Sequence, residues 1–298
     1  YARGVVAALR ERGVALPGMR VALTSDVPQA AGMSSSTALC LAIARAASEL
    51  CGVDFSDDEL AMIAHRAEEL IGARSAVTDA WSIAHGKEGR AMLIDCRTMQ
   101  TTHVPLELPD HVLFVADTGK PRGVVDDVTA MYDERRRECA EAVRVLSELT
   151  GRPLRSLRDV THEDLDDFAD ELPPVLRARA EHVVSESLRV VAAVAALRSG
   201  SAGYLGSLLN ASHASLRDKL EVSSAEIDVM VDLLRAAGVV GARMSSGRFA
   251  SSVLCLVERD HVDAVIAEVD SAYRRACSLS PAFWAVTSGD GVRVLVDD

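Results

Sequence analysis

Pro28-Gln29-Ala30-Ala31-Gly32-Met33-Ser34-Ser35-Ser36-Thr37-Ala38 is the stretch from which the fold can be read. The apolar run Met19 to Leu23 before it predicts a strand. The periodic run Ala38 to Leu50 after it predicts a helix. Between them lies a loop of small residues, in which Gly32 takes positive φ at little cost. The first amides of a helix have no internal partners and point outward as donors. The helix dipole adds partial positive charge at the same end. A strand, a small-residue loop and a helix start together make an anion site, with phosphate the usual guest. The hydroxyls of Ser34, Ser35 and Ser36 can cap the helix, bind phosphate oxygens or hold a metal ion. Read alone, the loop is equally a serine-capped helix after a turn, because it is neither a Walker A nor a GxGxxG sequence.

Length and charge narrow the classes. The 298 residues suit one large or two modest domains. Aromatic residues are scarce, so Ala, Val, Leu and Ile must build the core. A net charge of −12 argues against nucleic acid, whose affinity comes from phosphate neutralisation by Lys and Arg. It leaves room for a small anion, since local donors outweigh a distant field. No apolar run approaches the roughly 18 residues of a membrane span, so no membrane partner is expected. Cys40, Cys51, Cys96, Cys139, Cys255 and Cys277 show no CxxC spacing. They are expected as reduced core thiols of a cytoplasmic protein. The chain opens at Tyr1 inside a helical pattern, Ala2 to Arg12, which suggests a piece of something longer.

Downstream, Ser56 and Glu59 form a capping box ahead of a helix that runs to about Leu70. The loop from Gly72 leads into a short helix carrying Asp79, a single carboxylate in small, weakly polar surroundings. Strands are expected at Ala91 to Asp95 and His111 to Ala116. The second half reads as helices over Asp126 to Leu149, Val175 to Leu197, Leu205 to Arg217, Ala225 to Ala237 and 261–275. Ser223 and Glu226 read as a second capping box. A strand at Val253 to Val257 and a terminal hairpin, Ala282 to Thr287 with Val292 to Val296, complete an α+β pattern.

Several stretches agree on one family. Pro28 to Ala38 resembles the second motif of the GHMP small-molecule kinases, and Glu68 and Asp79 fall where that family has a metal-binding Glu and a catalytic Asp. Leu93 to Arg97, Tyr132 to Cys139, Ser156 to Val160, Arg177 to Val184, Ser212 to Asp218 and Gly289 to Gly291 are similar to the galactokinase branch. The resemblance implies the GHMP kinase two-domain fold: a ribosomal S5 domain 2-like first part over residues 1–108 and a ferredoxin-like second part over 109–298. It implies ATP-dependent phosphorylation of a sugar hydroxyl, the sugar being galactose or another sugar or cyclitol, by a monomer or homodimer. Gly32, Ser34, Ser35 and Ser36 would wrap the ATP phosphates. Ser36 and Glu68 would hold Mg2+. Asp79 would accept the proton of the sugar hydroxyl or aim that hydroxyl at the γ-phosphorus. Ser75, Ala76 and Tyr132 would contact the sugar.

The chain departs from the family at three places. Tyr1 falls downstream of the opening motif, which holds a sugar-binding Glu-His-x-x-Asp run and an arginine for the transferring phosphoryl group. Either the sequence is a piece of a longer one, or its catalysis differs. The third motif, Gly-Gly-Gly-Phe-Gly-Gly in galactokinases, reads Ser246-Gly247-Arg248-Phe249-Ala250-Ser251. Arg248 adds a cation there. The sugar-contacting Cys-Gly pair becomes Ser75-Ala76, and Glu68 and Asp79 stand one residue closer than usual. These departures admit an alternative: a catalytically impaired relative that binds nucleotide and sugar as a sensor or regulator. Without the resemblance, Asp79 reads as a helix cap, Glu68 as a solvated helix residue and Tyr132 as a packing residue. Arg135, Arg136 and Arg137 read as an exposed face paired with Glu134 and Glu138. His213 reads as a core or capping histidine.

Overall fold

A computed structural model describes residues 1–29, 31–73, 75–120, 125–245 and 251–295, with the backbone alone described for 125–129. The chain divides into two compact units, Tyr1–Leu106 with Thr287–Asp298, and Glu107–Val286. It therefore passes between units twice, where the sequence suggested a single cut after residue 108.

The first unit holds helices α1 (Ala2–Glu11), α2 (Ser35–Cys51), α3 (Asp57–Leu70) and α4 (Val77–Ala84), and the antiparallel pair β1 (Arg90–Asp95) and β2 (Gln100–Pro105). The Ser56–Glu59 capping box forms as expected, with both reciprocal bonds. Its core is built from small and aliphatic side chains: Leu9, Cys40, Leu41, Ala44, Leu60, Ile63, Ala64, Ala67 and Ala80 are all fully buried. Alanines on facing helices let α2, α3 and α4 approach closely, which brings the helix starts and loops of the site together.

Two expected elements of this unit are corrected. Met19 to Leu23 has no strand assignment; Val21 and Leu23 are 52% and 59% exposed. An extended segment becomes a strand only when a neighbour satisfies its amides and carbonyls, and no ladder reaches it among the described residues. Among the described residues the terminal hairpin does not form either, Val296 lying outside them. Ala282–Val286 joins the sheet of the second unit, while the segment after it lies against the end of α4. There Gly291 donates its amide to the Gly86 carbonyl at 2.9 Å and Val292 to that of Ile83 at 3.2 Å. Asp290 Oδ1 accepts the Glu88 amide at 3.1 Å.

The second unit has a four-stranded antiparallel sheet of β3 (His111–Asp117), β4 (Gly241–Met244), β5 (Ser252–Glu258) and β6 (Ala282–Val286), in the order β4-β5-β3-β6. In chain order that is 2-3-1-4, the ferredoxin-like arrangement expected. Helices α5 (Val125–Thr150), α6 (His162–Asp167), α7 (Pro174–Arg198), α8 (Ala202–Ser215) and α9 (Ala225–Ala236) intervene between β3 and β4, and α10 (Val262–Cys277) between β5 and β6. Phe114, Ala116, Ala242, Met244, Val253 and Cys255 turn one sheet face toward α9 and α10. Leu113 and Leu256 turn the other toward α7 and α8. The cap of α9 is Ser224, whose hydroxyl accepts the Ile227 amide. Ser223 instead donates to Asp228 Oδ1 at 2.6 Å, and Glu226 pairs with Lys120 at 2.7 Å. The capping box read at Ser223 therefore does not form, and a single cap stands one residue later at Ser224.

Backbone contact between α8 and β4 depends on two glycines. A Cβ on Gly206 would stand 2.4 Å from the Val240 carbonyl oxygen, and one on Gly241 would stand 2.4 Å from Gly206 Cα. The obstacles are backbone atoms and cannot rotate away. Gly206→Ala should therefore cost about 3 kcal/mol, read as a drop in Tm by calorimetry; an unchanged Tm would mean the helix–strand contact is looser than described.

Along α7, Arg179, His182, Glu186 and Arg189 fall on one face at helical spacing and form a polar spine, buried at Arg179 and His182 and half-buried at Glu186 and Arg189. His182 Nδ1 lies 2.9 Å from Ser215 Oγ, and Ser212 donates to Glu186 at 2.7 Å. Burial pushes the His182 imidazole down to about 4, against the pull of the Glu186 carboxylate. Between its ordinary 6.5 and that value, the unfolded chain binds a proton that the folded chain refuses. Stability should thus fall as pH drops from 6.5 toward 4, by on the order of 2 kcal/mol. His182→Gln should flatten that stretch of the Tm–pH curve; an equally steep curve would place the slope elsewhere. His213, on α8, is buried as expected, with Nε2 3.5 Å from Asp228 Oδ1.

Candidate active site

The serine loop enters α2 through two left-handed residues. Gly32 has φ 70°, and Ser34, the residue before the helix, has φ 52° and ψ 37°. Glycine adopts this conformation freely, whereas Ser34 holds it at a cost of about 1–3 kcal/mol. No side chain caps the helix. The expectation that a serine caps α2 is corrected: Ser34 occupies the cap position without bonding, and the hydroxyl of Ser36 is engaged elsewhere. The opening amides of α2 consequently face the loop as donors, in the geometry that suits an anion. Ala30 lies outside the described residues.

Glu68 joins this helix start to the rest of the site. It sits on α3 and is 1% exposed. Its Oε1 accepts the Ser36 hydroxyl at 2.8 Å and its Oε2 accepts the Thr37 hydroxyl at 2.8 Å. Both donors are neutral, and among the described residues no cation balances the buried carboxylate. Reading Glu68 alone as a solvated helix residue is therefore corrected. Its main-chain carbonyl accepts the amide of Ala73 at 2.9 Å, which begins the turn at Gly72, φ 76°. One residue thus ties α2 by its side chain and the loop ahead of α4 by its backbone.

That loop delivers Ser75, Ala76 and Asp79. Ala76 has extended backbone and precedes α4 without a side-chain cap; its carbonyl accepts the Asp79 amide at 3.0 Å. Asp79 is the third residue of α4, where the helix dipole favours a carboxylate. Ala80, Trp81 and Ala84 bury the opposite side of α4 in the same core as α2 and α3, and Trp81 Nε1 donates to Thr101 Oγ1 at 2.8 Å. Asp79 itself is half-buried. Ser75 Oγ is shielded from solvent and has no hydrogen-bond partner among the described residues. A buried hydroxyl in that condition suits a ligand oxygen. Arg74 lies outside the described residues.

The hydroxyl of half-buried Ser36 and the carboxylate of buried Glu68, 2.8 Å apart, are hard oxygen donors of the kind that suits Mg2+. Among the described residues no group of three or more His, Cys, Asp or Glu forms a metal cage.

The residues flanking the third motif close its base. Ser245 and Ser252 join β4 to β5 through an amide bond of 2.9 Å and a hydroxyl contact of 2.7 Å. Ser246 to Ala250, and with them Arg248, lie outside the described residues. In the second unit, Tyr132 is half-buried on α5. One turn on, Arg135 corrects the reading of an exposed arginine face: its side chain is 14% exposed and pairs with Glu134, Glu138 and Glu221. Arg136 and Arg137 remain exposed. Sequence reasoning missed Thr37 and β2. Thr37 carried no signal beyond its place beside Ser36, and β2 is too polar for its alternation to stand out.

Comparison with known proteins gives one answer. Residues 1–87 match the model of the GHMP kinases N terminal domain, and residues 193–275 that of the GHMP kinases C terminal domain. A galactokinase of Thermotoga neapolitana is 37% identical over 98% of this chain and 81% of its own length. A galactokinase of Chloroflexus aurantiacus is 39% identical over 98% of this chain and 74% of its own. The crystal structure of Lactococcus lactis galactokinase complexed with galactose superposes with a TM-score of 0.85 at 30% identity, covering 98% of this chain and 75% of that one. Among the described residues no helix is long and apolar enough to cross a membrane.

Proposed function

Because this chain belongs to the GHMP kinase family, in its galactokinase-like branch, we propose that it transfers the γ-phosphoryl group of ATP to a hydroxyl of galactose or a related sugar or cyclitol. The observation that carries the proposal is the junction at Glu68. A single buried glutamate unites the uncapped start of α2, through its carboxylate, with the loop that presents Asp79, through its main-chain carbonyl.

The opening amides of α2 and the hydroxyls of Ser34 and Ser35 bind the phosphate tail of ATP. Ser36 and Glu68 would hold Mg2+, whose charge would offset that of the phosphates. Asp79 accepts the proton of the attacking hydroxyl or orients it toward the γ-phosphorus. The hydroxyl oxygen bonds to phosphorus as the bond to the β-phosphate oxygen breaks, leaving ADP. Ser75 Oγ and the Ala76 backbone contact the sugar, and Tyr132 supplies a further sugar contact. Most of the acceleration comes from positioning and charge neutralisation. Proton removal adds about 10²–10⁴-fold. The relatives carry the enzyme's name, and no observation favours the sensor reading over it.

A coupled assay of ADP release over a panel of hexoses and cyclitols, run beside calorimetric titration with MgATP, tests the proposal. The expected result is micromolar-to-millimolar ATP binding with turnover on at least one sugar, within the common range of KM. ATP binding without turnover on any of them would overturn it.

A further inference from the structure

The polar spine of α7 ends on Arg179, and what this side chain grips bears on the segment that carries Tyr132. Arg179 is 2% exposed. Its Nε donates to Glu138 of α5 at 2.7 Å and its Nη2 to Glu221 at 2.7 Å. Its Nη1 donates to the carbonyl of Lys219. Arg135 of α5 closes the circuit, pairing with Glu138 at 3.2 Å and Glu221 at 3.3 Å. Two guanidinium groups and two carboxylates thus join α5, α7 and the chain that follows α8. That chain is a π-helical turn, Leu216–Leu220, and it ends on Glu221 at φ 57°. A residue with a Cβ seldom adopts this conformation, and here two arginines hold its side chain. Single π-turns often sit at functional places. Burial by itself would make the Arg179 cation harder to keep, and the two carboxylates more than offset it.

Among the described residues, the charged clasp joins α5 to α7 ahead of their shared apolar cluster. The cluster that α5 shares with α7 takes its α5 members from Cys139 onward: Cys139, Ala142, Val143, Val145, Leu146 and Leu149. Tyr132 lies two turns before that cluster begins, about 10 Å along the axis. The four-charge clasp falls between the two. Buried ion pairs stabilise a fold no better than well-packed apolar groups. What a planar guanidinium adds is direction, since its fork fixes both partners in angle as well as distance.

We propose that Arg179 is a positioning residue: by clasping Glu138 and Glu221 it sets the pitch of the α5 segment that carries Tyr132, and through it the apparent affinity for the sugar. The proposal rests on Tyr132 as a sugar contact. Its test uses the full-length protein, galactose and MgATP as probes, and amide hydrogen exchange over residues 130–138. Arg179→Met should raise the KM for galactose about tenfold, leave the KM for MgATP unchanged and speed exchange in that segment, in line with the cost of small misplacements in a reacting pair. Glu221→Gln, at a half-exposed edge of the clasp, should do the same more weakly and covers the case in which Arg179→Met fails to fold. Leu146→Ala, in the apolar cluster below, should lower Tm without moving either KM or the exchange of 130–138. Equal effects from Leu146→Ala, or unchanged exchange in both clasp variants, would overturn the clasp. Tyr132→Ala separates the two readings. If it leaves the KM for galactose unchanged, Tyr132 is not a sugar contact, and the exchange data then decide the clasp alone. If it raises that KM while the clasp variants do not, the clasp fails and Tyr132 stands.

Discussion

Asp79→Asn should reduce kcat by about 10²–10⁴-fold while leaving calorimetric affinity for MgATP within about twofold of the parent. The asymmetry follows from where the residue stands. Asp79 belongs to the first turn of α4, and its backbone is fixed by the Ala76 carbonyl and by the burial of Ala80, Trp81 and Ala84 beneath it. Asparagine keeps the volume and the helix, so the site does not collapse. It loses the negative charge and the capacity to take a proton. The proposed phosphate loop leads into α2, and the change leaves its amides untouched. A loss confined to kcat therefore assigns Asp79 to the sugar hydroxyl. Equal losses in kcat and in ATP affinity would assign it to the nucleotide, and retained turnover would remove it from the mechanism.

The second large effect is expected at Glu68. Glu68→Ala deletes the acceptor shared by the hydroxyls of Ser36 and Thr37 and removes half of the proposed magnesium donors. Turnover with MgATP should fall by about 10²-fold or more, since even residues behind a metal's direct ligands are worth 10–100-fold. Activity alone would not separate a metal role from a scaffold role. Titration of ATP with and without magnesium does so: in Glu68→Ala the gain in affinity from magnesium should shrink, while affinity for magnesium-free ATP holds. Thr37→Val supplies the contrast. It removes one hydrogen bond to the same carboxylate, worth about 1–3 kcal/mol with a charged acceptor, and should lower Tm while keeping the magnesium gain. If Thr37→Val and Glu68→Ala behaved alike, Glu68 would be a brace for α2 and nothing more.

Local chemistry was legible wherever a residue's neighbours in sequence decide its state. The Ser56–Glu59 box, the helices of the second half and β3 and β5 followed from capping and periodicity, because their hydrogen bonds close within a few residues or their apolar faces repeat. The Ser223 box failed because the helix starts one residue later, with Ser224 accepting the Ile227 amide while Ser223 bonds Asp228 and Glu226 pairs with Lys120. Met19 to Leu23 and the terminal hairpin failed for a related reason. Apolar alternation marks a segment able to form a strand, and the ladder depends on which distant strand is at hand. Ala282–Val286 found β3, from Leu113↔Val286 to Asp117↔Ala282. At the site, the serine loop and the candidate carboxylates were legible through resemblance to a family, whereas their mutual arrangement was not.

From the sequence by itself came the family, the α+β character, the small-residue loop ahead of α2 and the choice of Glu68 and Asp79 as the candidate carboxylates. All of these are carried by residue type and order along the chain. Only the tertiary structure decided that Ser34 leaves α2 uncapped, that Glu68 is buried between two hydroxyls, that Arg135 turns inward, and that Arg179 grips a glutamate on each of two elements. The reason is physical. Each of these states is set by solvent exclusion and by partners as distant along the chain as Ser36 from Glu68 or Glu138 from Arg179, and no local pattern encodes which polar group will meet which.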